Sequence, residues 1–173
     1  MKIAIIGYSG MLGSDVLYLL RDTGKSGDKD LSLVCVNSKD LNISDKASTS
    51  SFFLNHKPDI VINCAAYTDV DGCEKNIDLA FSVNGEGVKN IALAAKQYKS
   101  KVVQVSTDYV FNGLNNNHYT EESPANPLSV YGKSKLKGEE YLREILDDYL
   151  IIRTAWLYGI YGKKHYVKNM LRL

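Results

Sequence analysis

Three features of this sequence predict an α/β fold with a doubly wound, parallel sheet of Rossmann-like type. Five short apolar runs recur along the chain, helical patterns stand between them, and a glycine-rich turn follows the first run directly. The runs are continuous rather than alternating, as strands covered on both faces require. Right-handed crossovers then wind the helices onto both sides of the sheet.

Each element has its own signal. Residues 3–6 are a short, largely β-branched strand. Residues 11–21 carry Leu12, Val16, Leu19 and Leu20 at helical spacing. Residues 31–36 form the second strand. Residues 46–56 are rich in Ser and Thr, but Phe52, Phe53 and Leu54 supply an apolar patch for a helix. Pro58 stops that helix before the third strand, 59–63. Residues 77–98 read as one long helix with Val88, Ile91, Ala92 and Ala95 on one face, weakened in the middle by Gly85 and Gly87. The fourth strand is 101–105. The polar loop 112–127 is long for a connection in a compact domain, a length associated with mobile or functional segments. A helix over 128–146, with Tyr131, Leu142, Ile145 and Leu146, leads to a fifth strand at 149–152. The last pattern, 166–173, is helical.

Bulk properties narrow the function. The 173 residues are 45% apolar and 24% charged, with a formal net charge of +1. That length fits one domain, or one and part of a second, and buries a core without disulfide or metal staples. The balanced charge argues against nucleic-acid partners and polybasic membrane binding. No apolar run reaches spanning length, and residues 1–7 lack the form of a signal peptide. Cys35, Cys64 and Cys73 show no CxxC spacing. The expectation is a cytoplasmic protein with reduced thiols and no metal site.

The turn reads Gly7-Tyr8-Ser9-Gly10-Met11-Leu12-Gly13, a GxxGxxG spacing between the first strand and the first helix. Gly7 permits the sharp turn, Gly10 lets the backbone approach a pyrophosphate, and Gly13 allows close helix–strand packing. Helix N–H groups then face the anion. At the end of the second strand, Asn37 and Ser38 occupy the position that contacts the adenosine ribose, with Lys39 beside them. No acidic residue stands there to favour NAD, so NAD and NADP both stay open. Asp40 and Leu41 are candidates to contact the adenine ring.

Tyr131 and Lys135 form a YxxxK pair, one turn apart on a single helix face. An ammonium near a phenol favours phenolate, so this spacing predicts a lowered tyrosine pKa and proton exchange with a substrate oxygen. Ser106-Thr107-Asp108 lies at the end of the fourth strand, where ligands of open α/β sheets sit. Either Ser106 or Thr107 could hydrogen-bond a carbonyl held near Tyr131; spacing does not choose between them. Asn84 is read as a proton-relay residue or as a polar residue of the long helix.

Five motifs occur in order: the glycine turn, Asn63-Cys-Ala-Ala66, Ser106-Thr-Asp-Tyr-Val-Phe111, Tyr131-Gly-Lys-Ser-Lys-Leu136 with Gly138-Glu139, and Arg153-Thr-Ala-Trp-Leu-Tyr-Gly159. Together they resemble the dTDP-4-dehydrorhamnose reductase family of extended short-chain dehydrogenase/reductases, over essentially the whole chain. The resemblance implies NAD(P)H-dependent reduction of the 4-keto group of dTDP-4-dehydro-6-deoxy-L-mannose to give dTDP-L-rhamnose, a surface polysaccharide precursor. It places the catalytic triad on Thr107, Tyr131 and Lys135. It implies cofactor contacts at Gly7, Gly10, Met11, Leu12, Gly13, Asp40, Leu41, Ala65, Ala66, Tyr67 and Lys135. It implies sugar-nucleotide contacts at Val70, Asp108, Tyr109 and Trp156. For Trp156, stacking on the sugar or base competes with a core or interface role. In the implied mechanism Tyr131 gives the proton, Thr107 orients the oxygen, and Lys135 keeps Tyr131 acidic and holds the nicotinamide ribose.

Members of the resembled family continue beyond the point that matches Leu173, with sugar-nucleotide and dimer contacts in that later part. The expected division is therefore an NAD(P)-binding domain over 1–155 and, over 156–173, the start of a segment leading to a truncated substrate domain. Homodimer contacts are expected of the longer form. Two further functions are compatible with the same motifs. One is a non-catalytic, NADP-binding regulatory subunit of methionine adenosyltransferase; the other is a reductase or epimerase of another nucleotide sugar.

Overall fold

The apolar runs assemble side by side into one five-stranded parallel sheet in the order β2-β1-β3-β4-β5. The strands are β1 (Lys2–Ile6), β2 (Ser32–Val36), β3 (Ile60–Asn63), β4 (Lys101–Thr107) and β5 (Tyr149–Thr154). The computed structural model describes residues 1–25, 31–115, 117–161, 167, 170 and 171. The expected helix over 166–173 falls mostly outside the described residues.

Strand alternation distributes the core to both faces. Ile3 and Ile5 of β1 pack with Leu17 of α1 (Met11–Lys25) on one side. Ala4 and Ile6 point the other way, into a larger cluster. That cluster takes Phe53 from α2 (Lys46–His56), Ile91 and Ala92 from α5 (Gly87–Tyr98), and Leu142 from α6 (Val130–Ile145). Full burial of each such aliphatic or aromatic side chain contributes roughly 1.5–3 kcal/mol.

Local signals set the helix ends. Asp45 caps α2 by accepting N–H bonds from Ala47 (2.8 Å) and Ser48 (3.3 Å). Ser129 caps α6 through the Gly132 N–H at 3.0 Å, and the Glu74 carboxylate accepts the Val130 N–H at 2.7 Å.

The long helix expected over 77–98 is broken. It consists of α4 (Ile77–Phe81), a π-helical turn (Ser82–Glu86) and α5. Close packing accounts for the bulge: a Cβ on Gly138 of α6 would strike the Asn84 carbonyl, and one on Gly87 would strike the Ile43 side chain at 2.8 Å. A short helix without a sequence signal, α3 (Val70–Lys75), precedes this stretch, capped by Asp69. Among the described residues, no helix is long and apolar enough to cross a membrane.

Strand order reverses between β1 and β3, the sheet's switch point. The glycine turn follows β1 there and Ala65-Ala66 follows β3. The Cys64 N–H donates to the Ile6 carbonyl at 2.9 Å, holding the two strand ends together.

Candidate active site

Two clefts open beyond the carboxyl ends of the strands, and Cys64 and Ala66 line both. The first has a volume of about 250 Å³ and is bounded by the glycine turn, the end of β2 and the end of β3. Gly7 has φ +81°, a left-handed conformation, and a Cβ on it would lie 2.8 Å from the Ala65 nitrogen. A Cβ on Gly13 would run into the Gly7 carbonyl, so that position packs helix against turn. Gly10 differs: a Cβ there meets only the Gly7 carbonyl oxygen, at 3.3 Å, with otherwise open space before it.

The helix end behind Gly10 is an anion cradle. Ser14 is the first residue of α1 whose N–H reaches back to a helical carbonyl, that of Gly10 at 3.0 Å. The N–H groups of Met11, Leu12 and Gly13 precede it and have no intrahelical acceptor. Glycine at the cap position offers no side-chain oxygen either. These groups fit a phosphate-bearing ligand, with the helix dipole adding to the attraction.

Asn37, Ser38, Leu41, Ala65 and Ala66 line this cleft as the sequence anticipated. Asp40 does not. Its Oδ2 accepts the Asn37 N–H at 3.1 Å, which makes it a turn-closing group. Tyr67 also stands off the lining; Asn84 pins its backbone. Ser9, Asn42, Ile43, Ser44 and Val83 join the cleft without having been singled out. Val83 arrives through the π-helical turn, which no periodicity announces.

The second cleft, about 230 Å³, gathers Val70, Thr107, Asp108, Tyr109, Tyr131, Lys135 and Trp156. Val105 and Ser106 of β4, Thr154 of β5, and Thr68, Ala155 and Leu157 of the loops after β3 and β5 also line it. The Thr107 hydroxyl neighbours the Tyr131 phenol and favours its ionised form. Its Oγ1 also donates to Asp108 Oδ1 at 3.1 Å and accepts the Tyr109 N–H at 3.2 Å, so the hydroxyl is held in place. Tyr109 packs edge-on against Tyr131 at 5.6 Å between ring centroids.

The neighbouring hydroxyl goes elsewhere. Ser106 Oγ donates to Glu139 Oε1 at 2.5 Å. Glu139 is 0% exposed, and its carboxylate also accepts from Arg143 at 2.9 Å and from Arg153 Nη2 at 2.7 Å and Nε at 3.1 Å. The geometry therefore selects Thr107, not Ser106, as the hydroxyl that meets Tyr131.

The expected lowering of the Tyr131 pKa is reversed. Burial pushes the phenol above its ordinary value, and the neighbouring Thr107 hydroxyl only partly offsets that. Lys135, a residue 4% exposed, does not offset that burial: its ammonium donates to the Val105 carbonyl at 2.7 Å. Burial brings Lys135 down to about 8, against the opposing charge of Glu139 and of Cys64. Burial also pushes the Cys64 thiol up to about 11. Tyr131 is thus a neutral phenol, suited to giving a proton away.

Asn84 is engaged with protein on every side. Its Oδ1 accepts the Tyr67 N–H at 2.9 Å, and Nδ2 donates to the Tyr67 carbonyl and to Ser134 Oγ, both at 3.0 Å. It ties the loop after β3 to α6. Trp156 is no core residue: it is 76% exposed, with φ 52°, at the rim of the second cleft. Among the described residues, no His/Cys/Asp/Glu group could hold a metal ion.

The RmlD substrate binding domain family model matches residues 1–173. The spore coat polysaccharide biosynthesis protein SpsK of Bacillus subtilis is 40% identical over 172 residues, 99% of this chain and 58% of that protein. The crystal structure of a dTDP-4-dehydrorhamnose reductase from Clostridium acetobutylicum superposes with a TM-score of 0.93 at 41% identity, covering 99% of this chain and 59% of that one. The corresponding reductase of Bacillus anthracis, solved in complex with NADP, gives a TM-score of 0.92 at 36% identity, covering 99% and 58%. The chain thus spans a little over half the length of the relatives it matches.

Proposed function

The chain belongs to the RmlD substrate binding domain family, and from that premise we propose that it forms the dinucleotide-binding and proton-donating part of a dTDP-4-dehydrorhamnose reductase. Residues 1–155 are the NAD(P)-binding domain in this reading, and 156–173 lead toward sugar-binding structure. The substrate is dTDP-4-dehydro-6-deoxy-L-mannose, and the protein works in the cytoplasm.

The observation that carries the proposal is the placing of Thr107 beside a buried, neutral Tyr131 in a cleft that shares Cys64 and Ala66 with the glycine-turn cleft. The open space before Gly10 and the unpaired N–H groups of the first turn of α1 fit a dinucleotide pyrophosphate. When bound, the reduced nicotinamide supplies hydride to the 4-keto carbon. The chain's own residues handle the oxygen. Thr107 orients it by hydrogen bond, and Tyr131 gives its phenolic proton to the developing alkoxide. Lys135, fixed on the Val105 carbonyl and lining the same cleft, is the residue that would hold the nicotinamide ribose.

The intact pairing of Thr107 with Tyr131 favours an enzyme over a regulatory subunit, which needs only the cofactor cleft. The test is NADPH oxidation by dTDP-4-dehydro-6-deoxy-L-mannose, with wild-type enzyme and Tyr131→Phe. Turnover in the variant is expected to fall by about 10²–10⁴-fold with cofactor affinity retained. Wild-type turnover in the variant would remove Tyr131 as the acid.

A further inference from the structure

The segment that follows β5 crosses the carboxyl end of the sheet. β5 is an edge strand, with β4 and β3 between it and β1. Ala155, Trp156 and Leu157 line the second cleft beside Tyr131 and Lys135. Gly159 then lies against α1, the helix that follows β1: a Cβ on it would overlap the Asp15 carboxylate. Tyr161 packs its ring against Tyr18 at 5.2 Å between centroids. Asp15 and Tyr18 share one face of α1, and Asp15 stands one turn after Met11, the first residue of that helix. Residues 155–161 thus run from the second cleft to the flank of the anion cradle.

The crossing is lightly held. Trp156, Tyr158 and Ile160 are exposed, and Tyr161 and Tyr18 keep about half of their surface. Trp156 adopts φ 52°, a left-handed conformation that is costly for a residue with a Cβ. Such a bend persists only where contacts around and beyond it hold it, and Gly159 and Tyr161 supply two of them. A segment with a strained bend and little buried surface has low local stability and opens ahead of the core.

We infer that residues 155–161 are a strap, latched onto α1 through Gly159 and Tyr161, that opens to admit a dinucleotide and closes over its nicotinamide half. The inference rests on the dinucleotide reading above. A ligand with its phosphates on the first turn of α1 and its nicotinamide at Tyr131 occupies both clefts, and the strap bridges the same two places. The latch residues stand outside both cleft linings. They therefore act on the rates of exchange: a closed latch slows entry and escape alike and leaves the ligand's own contacts unchanged.

The test is stopped-flow fluorescence of NADPH binding to the 173-residue chain, with wild type, Tyr161→Ala and Tyr18→Ala. Both tyrosines are exposed, so the variants keep their fold, which circular dichroism checks. Tyr158→Ala removes an exposed ring from the same segment, outside the ring pair on α1, and serves as control. Each latch variant is expected to raise the entry and escape rates together, by roughly 3- to 10-fold, the range one aromatic pair supports, with Kd nearly constant. The control should leave both rates as they are. Unchanged rates in the two latch variants would overturn the strap and leave the dinucleotide reading intact. Faster escape without faster entry would also overturn it, since Tyr161 would then be a plain ligand contact. Failure of the wild-type chain to bind NADPH would overturn the dinucleotide reading itself, and the strap with it.

Discussion

Ser106 and Thr107 are adjacent on β4, yet their hydroxyls meet α6 two turns apart, at Glu139 and at Tyr131. The helix runs back along the strand, so the later strand residue meets the earlier helix residue. This divides the two hydroxyls between stability and chemistry. Ser106→Ala removes a buried hydrogen bond to a carboxylate and should cost about 1–3 kcal/mol in urea unfolding while sparing turnover. Thr107→Val keeps the shape of its side chain but takes the acceptor from the Tyr109 N–H, at a cost of about 0.5–2 kcal/mol. Under the proposed chemistry it lowers turnover on the order of 10²-fold, read from NADPH oxidation. An exchange of these two phenotypes would reverse the assignment.

Glu139 sets the frame around which that division works. One carboxylate with no exposed surface joins α6 to β4 through Ser106 and to β5 through Arg153, while Arg143 reaches it from the next turn. Arg153 also lies over the Phe111 ring, 4.9 Å from its centroid. Removing the carboxylate leaves the Arg153 guanidinium, largely buried, without its partner. Glu139→Ala is expected to cost about 3–5 kcal/mol in urea unfolding. Glu139→Gln preserves the shape and one acceptor and should cost clearly less. Equal stability of all three proteins would show that the cluster is not holding the strands in place.

Lys135 gives the fold a pH dependence of definite sign. Its folded value of about 8 lies below the ordinary 10.5 of an unfolded lysine, because burial penalises the charge. Below about pH 8 both states are protonated and the full penalty is present. Between 8 and 10.5 the unfolded chain still holds a proton that the folded chain has released, so raising the pH favours folding. Cys64 and Tyr131, both shifted upward, act in the opposite direction. The contribution is therefore read as a difference: the stability of wild type relative to Lys135→Met should rise across this window, by on the order of 3 kcal/mol. A flat difference between the two would refute the buried-cation account.

Most of the sheet was legible because its signals are local. Five apolar runs, Pro58 and the glycine turn mark the strands and their parallel, doubly wound class, while the strand order came from the structure. The grouping of a hydroxyl at the end of β4 with Tyr131 and Lys135 was legible for the same reason, whereas Thr107 rather than Ser106 came only from the family resemblance. What escaped depends on packing. The π-helical turn at Ser82–Glu86 exists because Gly138 lets α6 approach the Asn84 carbonyl, a contact between residues over fifty positions apart. The lysine's effect on Tyr131 was misjudged because spacing places Cα atoms one turn apart but says nothing of where the ammonium goes. Here the Val105 carbonyl captures it. The bond from the Asn37 N–H to Asp40 was equally invisible in the sequence, since it depends on how the turn closes.

The three glycines of the turn separate folding from binding. A methyl group on Gly13 would overlap the Gly7 carbonyl, and one on Gly7 would press on the Ala65 backbone at an unfavourable φ. Backbone cannot swing aside as a side chain can, so Gly13→Ala should lower the thermal midpoint sharply, by several kcal/mol-equivalents of stability, roughly 2–4 kcal/mol. A methyl on Gly10 meets only one carbonyl oxygen, at 3.3 Å, and otherwise enters open space. Gly10→Ala should therefore fold with a midpoint near that of wild type, yet fill the space through which phosphate approaches the first turn of α1. Dinucleotide affinity, measured by calorimetry on the folded variant, is expected to fall at least tenfold, since charge-assisted bonds to phosphate are lost while the protein's own contacts are kept. If Gly10→Ala bound NADPH as tightly as wild type, the open face of the turn would have no part in holding the pyrophosphate.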